Sequence, residues 1–227
     1  DQAVEGLAEE TNNPRFAYDA YRRFIQMFGE VVMHIEIEKF EEILNNYKKL
    51  KGPETQDTDL TVDDLKKIIA DYKVLYKKEI GEPFPEDPEK QLFLTINAVF
   101  DSWNNKRAIT YRKMNKLPNT GTAVNIQSMV FGNKNWRSGT GVAFTRDPSM
   151  GEKKRFGEYL PNAQGEDVVA GIRTPKTLEE MKDEFPKVYE ELMEYMEKLE
   201  RHYRDMQDIE FTIENEELFL LQTRTGK

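Results

Sequence analysis

Along the first hundred or so residues the apolar positions recur three and four apart, the period of a helix with one buried face. Ala17, Ala20, Tyr21, Phe24, Ile25 and Phe28 form the first such stripe, opened by Pro14 and ending near Gly29. Phe40, Ile43, Leu44 and Tyr47 form a second, which stops before Gly52-Pro53. Thr61-Val62-Asp63-Asp64 has the spacing of a capping box, with Asp in place of the usual Glu or Gln. It opens a third helix carrying Leu65, Ile68, Ile69, Tyr72, Leu75 and Tyr76. The run Gly81-Glu82-Pro83-Phe84-Pro85-Glu86-Asp87-Pro88 breaks any regular structure and predicts a subdomain boundary. A fourth helix follows, with Leu92, Phe93, Ile96, Val99, Phe100 and Trp103 on one side.

After Pro118 the period falls to two. Val124, Ile126 and Val130 alternate as a strand, Gly139 to Thr145 reads as another, and Phe156 to Leu160 as a short third. A charged helix from about Pro186 to Tyr203 turns Val188, Leu192, Tyr195, Met196 and Leu199 to one face, and a hairpin pairs roughly 207–214 with 218–224. Helices, then strands, then a helix and a hairpin predict an α+β fold rather than alternating βαβ units.

The hairpin is the segment richest in chemistry. In Asp208-Ile209-Glu210-Phe211-Thr212-Ile213 acids and apolar residues alternate, so Asp208 and Glu210 share one face. A regular partner strand puts Leu218, Leu220, Gln222 and Arg224 on one face and Phe219, Leu221 and Thr223 on the other. A two-residue loop (Asn215, Glu216) would pair Glu210 with Leu221 and mix acids with apolar residues. A three-residue loop (Asn215 to Glu217) pairs Glu210 with Gln222 and Asp208 with Arg224, and gathers Ile209, Phe211, Ile213, Phe219 and Leu221 on one apolar face. Patterning favours the three-residue loop. The resulting cluster of two carboxylates, an amide and a guanidinium suits Mg²⁺ and phosphate, but by pattern alone a solvent-facing strand with a cross-strand ion pair is the commoner arrangement.

Charge narrows the choice of partner. With 33 basic and 42 acidic residues the 227-residue chain carries −9, which argues against a general nucleic-acid or anionic-membrane binder. It has no cysteine, which excludes disulfides, thiolate metal sites and a cysteine nucleophile. No apolar run reaches the ~18 residues of a membrane span, so an intracellular protein is expected. There is no Walker signature, and Gly139-Thr140-Gly141 is a weak candidate for a phosphate-cradling turn, open also to a plain structural role. His34 and His202, the only histidines, lie in no metal-ligand spacing. Lys106, Arg107, Arg112, Lys113 and Lys116 read as a solvated helix face.

Several segments are specific enough to carry a family resemblance. They include Asn13-Pro14-Arg15-Phe16-Ala17-Tyr18, Gly121-Thr122-Ala123-Val124-Asn125, Ser138-Gly139-Thr140-Gly141-Val142-Ala143-Phe144-Thr145-Arg146 and Asn162-Ala163-Gln164-Gly165-Glu166-Asp167. With the hairpin, they closely resemble the pyruvate phosphate dikinase family, in its N-terminal nucleotide-binding domain of ATP-grasp fold. The helical stretch 11–86 favours that family over the related phosphoenolpyruvate synthases.

The resemblance implies a phosphotransferase that interconverts ATP, phosphate and pyruvate with AMP, pyrophosphate and phosphoenolpyruvate. It passes a phosphoryl group to a histidine on a separate, swivelling domain of a protein expected to be a homodimer. It further implies Mg²⁺ on Asp208 and Glu210, phosphate contacts from Gln222 and Arg224, catalytic roles for Glu210 and Arg224, and nucleotide-site acids at Glu158 and Glu166. Gln127-Ser128-Met129-Val130 would be the adenine-side segment, so Gln127, Met129 and Val130 join the expected ATP site.

The same resemblance divides the chain into a helical insertion (1–86), a strip of the first ATP-grasp lobe (87–130) and the second lobe (131–227). Residue 1 is Asp, the first eleven residues read as the tail of something earlier, and the family's glycine-rich lobe with its phosphate-binding lysine is not in this sequence. A fragment of a longer chain is therefore expected, without dikinase activity of its own, in the cytoplasm or an organelle. Phe93, Val99, Trp103, Ile109 and Val124 in the first-lobe strip should be partly uncovered.

Overall fold

The computed structural model describes the fold of residues 2–171 and 173–226, and these divide into two units, 1–126 and 127–227. The first unit is helical: α1 (Gln2–Thr11), α2 (Pro14–Met27), α3 (Ile37–Lys51), α4 (Val62–Ile80), α5 (Pro88–Ser102) and α6 (Lys106–Met114). Gln2–Thr11, within the stretch that reads as the tail of something earlier, forms α1, which buries Val4.

Local signals fix these boundaries. The Asn13 side chain accepts from the Phe16 backbone N–H at the start of α2, and Pro14 fills the first turn, where a missing N–H costs nothing. Thr61 and Asp64 form the predicted capping box, and Gly81 ends α4 with φ at 85°, a left-handed geometry that suits glycine. Phe28–Val32 follows α2 as a π-helical turn. The core joins Ile25, Phe28, Phe40, Leu65, Ile68, Tyr72, Tyr76 and Phe84, with the Phe40 and Tyr72 rings edge-to-face at 4.9 Å.

One polar cluster is sunk into this unit. Arg22 donates to Asp19 at 2.8 and 3.0 Å, and Arg23 donates to the other oxygen of Asp19 at 3.3 Å. Burial pushes the Asp19 carboxyl up, but Arg22 and Arg23 outweigh it and hold it below the usual range. Burial also pushes the Tyr72 hydroxyl beside this cluster up to about 12.

The second unit is one antiparallel sheet covered by helices. Strands β1 (Gly139–Phe144), β2 (Phe156–Pro161), β3 (Lys176–Thr177), β4 (Gln207–Glu214) and β5 (Glu217–Thr225) take the spatial order β3-β2-β1-β4-β5. Helices α7 (Gly165–Ala170), α8 (Leu178–Glu184) and α9 (Pro186–Tyr203) complete it. Ala143, Tyr159, Ile209, Phe211, Ile213 and Leu218 on one sheet face pack with Met181, Phe185, Val188, Leu192 and Met196 of α8 and α9.

Two expectations need correction. Residues 124–130 form no strand. Among the described residues no strand pairs with them, and an unpaired strand would leave its backbone donors and acceptors without a ladder. The hairpin loop has two residues, Asn215 and Glu216, not three, both with positive φ (52° and 66°) as a tight two-residue turn requires. The extra residue sits instead at a β-bulge near Leu221, which leaves Glu210 opposite Gln222 and Asp208 opposite Arg224. As a result Leu218 and Leu220 take the core face assigned to Phe219 and Leu221, and Leu221 is 39% exposed.

Gly139-Thr140-Gly141 is strand, as the reading of Gly139 to Thr145 predicts, and not the weakly indicated cradling turn. A Cβ on Gly141 would lie 2.5 Å from the Glu158 carbonyl oxygen and 2.6 Å from the Phe211 ring, so close approach demands the glycine.

Candidate nucleotide-binding face

The ladder pairings place the candidate residues in rows across the sheet. Residues directly opposite one another share a face, so Glu158, Val142, Glu210 and Gln222 form one row and Phe156, Phe144, Asp208 and Arg224 the next. Both rows lie on the face turned away from α8 and α9, because their strand neighbours Ile209 and Phe211 are buried in the core on the other side. Strands lie ~4.8 Å apart, so Glu158 and Glu210, separated by β1, stand roughly 10 Å from each other at the backbone.

The electrostatics of the cluster are simple. Arg224 donates from Nε to Asp208 Oδ2 at 2.7 Å, and this bond, with the Asp208 charge behind it, raises the guanidinium pKa. The Arg224 side chain is 60% exposed while Asp208 is 13% exposed, so the arginine covers the carboxylate and keeps its outer edge in solvent. Glu210 is half-buried, and Gln222 and Glu158 are exposed. Phe144 and Phe156 pack at 6.3 Å beside Asp208, an aromatic floor to the row.

Next to this face, the 127–130 segment meets the edge strand. Gln127, Ser128, Val130, Tyr195 and residues 218–221 line a mostly apolar groove of about 430 Å³. Met129 is exposed beside it. The segment is anchored just downstream: Phe131 N–H and Lys134 Nζ each donate to Glu214 at 2.7 Å, tying it to the hairpin end. Glu166 lies in the first turn of α7, exposed.

The structure therefore brings Asp208, Glu210, Gln222, Arg224 and Glu158 onto one surface, and puts Gln127 and Val130 on a groove at its edge. Sequence reasoning missed Val142, Phe144 and Phe156 as members of that surface. The alternation Thr140, Val142, Phe144 along β1 carries the signal, but a strand reading alone does not say which strands flank it. His34 and His202 are exposed, and among the described residues no group of three His, Cys, Asp or Glu side chains converges as a metal cage. Among the described residues, no helix is long and apolar enough to cross a membrane.

Comparison with known families gives the class first, that of AMP/ATP-binding domains. Residues 53–190 and 179–227 match the family described as pyruvate phosphate dikinase, AMP/ATP-binding domain. The chain belongs to that family. Over its whole length it is 57% identical to pyruvate, phosphate dikinase of Clostridium symbiosum and 57% identical to the chloroplastic pyruvate, phosphate dikinase 1 of Oryza sativa. It is 56% identical to pyruvate, phosphate dikinase 2 of Zea mays. It spans 26%, 24% and 26% of these relatives, about a quarter of their length.

Proposed function

We propose that these residues form one wall of the Mg²⁺·ATP site of a pyruvate phosphate dikinase, a phosphotransferase of ATP-grasp fold acting in the cytoplasm or an organelle. The carrying observation is the bulge in β5, which aligns Gln222 and Arg224 with Glu210 and Asp208 on the solvent face of the sheet. Two carboxylates on alternate residues of one strand fit Mg²⁺, which takes few protein oxygens and completes its shell with substrate phosphates and water. When bound, the ion neutralises charge on the polyphosphate.

The chain's own groups do the remaining work. Asp208 and Glu210 hold negative charge where the cation belongs. Arg224, tethered by Asp208, presents its exposed N–H groups to phosphate oxygens, and Gln222 adds neutral donors beside it. Glu158 stands on the same face, in the row of Glu210 and Gln222. The apolar groove beside Gln127 and Val130 suits a planar base, with polar atoms of the 127–130 segment at its rim. The phosphoryl group then passes to a histidine on another domain of the whole protein.

Alone, these 227 residues leave the polyphosphate open to water on one side, where charge pairs fall toward the ~1 kcal/mol of bulk solvent. Millimolar ATP affinity and no dikinase turnover are expected of the chain by itself. Mn²⁺·ATP added to the ¹⁵N-labelled chain should broaden the amide signals of 208–210 and 222–224 first. Asp208→Asn with Glu210→Gln should abolish that broadening without changing the melting temperature by more than a few degrees. Broadening centred elsewhere, or unchanged in the double variant, would overturn the assignment.

A further inference from the structure

A second cavity lies on the other layer of the same unit. It measures about 780 Å³ and opens between the loop that follows β1 and the second half of α9. Its floor is Tyr189, Met193, Met196 and Met206. Met196 belongs to the core packed under the helix-covered face of the sheet, the face opposite Asp208 and Glu210. The cavity is therefore distinct from the candidate nucleotide face.

Its rim is basic in a chain whose net charge is −9. Six cations line it, Arg146, Lys153, Lys154, Arg155, Arg201 and Arg204, against the four acids Glu179, Glu197, Glu200 and Asp205. Two of the acids are already engaged, Glu200 by Arg146 at 2.7 Å and Glu197 by Arg201 at 2.8 Å. Among the described residues Lys153, Lys154, Arg155 and Arg204 form no ion pair, though the charge of Lys153 acts on Glu200. Three of these four are consecutive, and all four are exposed. Like charges held this close repel one another, and Glu200, already paired with Arg146, offsets that repulsion only in part.

We infer that this cleft is a binding site for a small phosphate ester with an apolar body, separate from the nucleotide site. The volume lies in the range of small-molecule pockets, roughly 300–1,000 Å³. Methionine side chains adapt to an aromatic or aliphatic group, and the Lys-Lys-Arg run with Arg204 meets the phosphate. The wall also reaches the nucleotide face through the backbone. Thr145 N–H donates to the Gln207 carbonyl at 3.0 Å, the Gln207 N–H donates to Thr145 Oγ1 at 2.9 Å, and Gln207 immediately precedes Asp208. An occupant of the cleft thus sits against the strand end that carries Asp208.

The test follows ¹³C-methyl signals of the methionines in the 227-residue chain during titration with phenyl phosphate, inorganic phosphate and phenol, without added metal. Phenyl phosphate should shift Met193 and Met206 saturably below about 10 mM, with inorganic phosphate weaker and phenol without effect. Lys153→Glu with Lys154→Glu, both on an exposed loop, should weaken binding by about tenfold or more, and added salt should weaken it too. Asp208→Asn should leave it unchanged, which separates this site from the sheet face. Shifts that do not saturate, shifts confined to Met129, equal affinity for inorganic phosphate or for phenol, or wild-type binding by the double Glu variant would each overturn the inference.

Discussion

Gly141→Ala separates a packing role for the β1 glycines from a ligand role. The added Cβ would lie 2.5 Å from the Glu158 carbonyl oxygen, 2.6 Å from Phe211 Cζ and 2.8 Å from Tyr159 Cβ. Phe211 and Tyr159 are fully buried, and β1 is hydrogen-bonded on both edges, so no neighbour has free space to retreat into. Overpacking costs ~1–3 kcal/mol, and contacts with backbone and Cβ atoms belong at the upper end of that range. Less backbone freedom in the unfolded chain returns ~0.5–1 kcal/mol, leaving a net loss of about 2 kcal/mol. For a unit the size of 127–227 that lowers the melting temperature by roughly 8–16 °C.

Thermal unfolding followed by Trp136 fluorescence in a Trp103→Phe background reports on this unit alone. Adding Phe211→Leu relieves only one of the three contacts, so it should recover less than half of the loss. Below its melting point the Gly141→Ala variant should still show Mn²⁺·ATP broadening at 208–210. A variant that melts within about 2 °C of the parent yet loses the nucleotide effect would refute the packing account and revive the phosphate-cradle one.

Asp19→Asn should destabilise the helical unit by ~3–5 kcal/mol in urea unfolding followed by circular dichroism, because Arg22 and Arg23 would be left buried against a neutral amide. A loss under about 1 kcal/mol would show that the cluster is not sealed from water. Hydrogen bonds from Lys51 and then Thr61 lower the Asp64 carboxyl from 3.8 to about 2. Its contribution is therefore full above pH 3.8 and fades as pH falls through about 2. Discounted for solvent screening it is worth ~0.5–1 kcal/mol, so Asp64→Asn should flatten the acid limb of the stability curve between those values. An acid limb of unchanged steepness would remove Asp64 from the explanation. The α5–α6 surface exposes Phe93 (62%) and Met114 (78%), so light scattering should detect concentration-dependent self-association that Phe93→Ser with Met114→Ser suppresses. A parent chain that stays monomeric at high concentration would count against this.

The helices of the first unit were legible because each carries its own punctuation. Asn13-Pro14, Thr61 with Asp64, and Gly81 act within a few residues, and the structure uses each where the sequence sets it. The stripe of α5 was equally visible, yet none of its residues is buried, and Val99, Trp103, Ile109 and Val124 are only half-covered, as expected of that strip. Periodicity reports that a face is apolar but not what covers it. The same limit explains residues 124–130, where alternation suggested a strand and the described residues offer no partner. Strand β3 and helices α7 and α8 were missed because two to seven residues carry too little pattern to stand out.

The hairpin shows where binary patterning fails and why it still led to the site. Treating β5 as perfectly alternating forces a choice between a three-residue loop and a misplaced Gln222. The chain takes neither course. Ser138 Oγ accepts from the Asn215 N–H, and Arg137 accepts from the Glu216 N–H through its carbonyl while pairing with the Glu216 carboxylate. These contacts hold two non-glycine residues at positive φ, so a tight turn forms without the Asn-Gly that would have announced it. The offset appears instead at Leu221, further along β5, where a bulge resets the alternation and returns Gln222 and Arg224 to the acidic face. This arrangement makes its own prediction. Deleting Leu221 removes the bulge but not the register, since Leu220 stays opposite Phe211 and Gln222 stays opposite Glu210 in a regular ladder. Cross-strand Hα contacts between Glu210 and Gln222, and the Asp208–Arg224 pair, should survive the deletion. If Gln222 instead turns to the core, or its contact passes to Phe211, the bulge is not what sets the face.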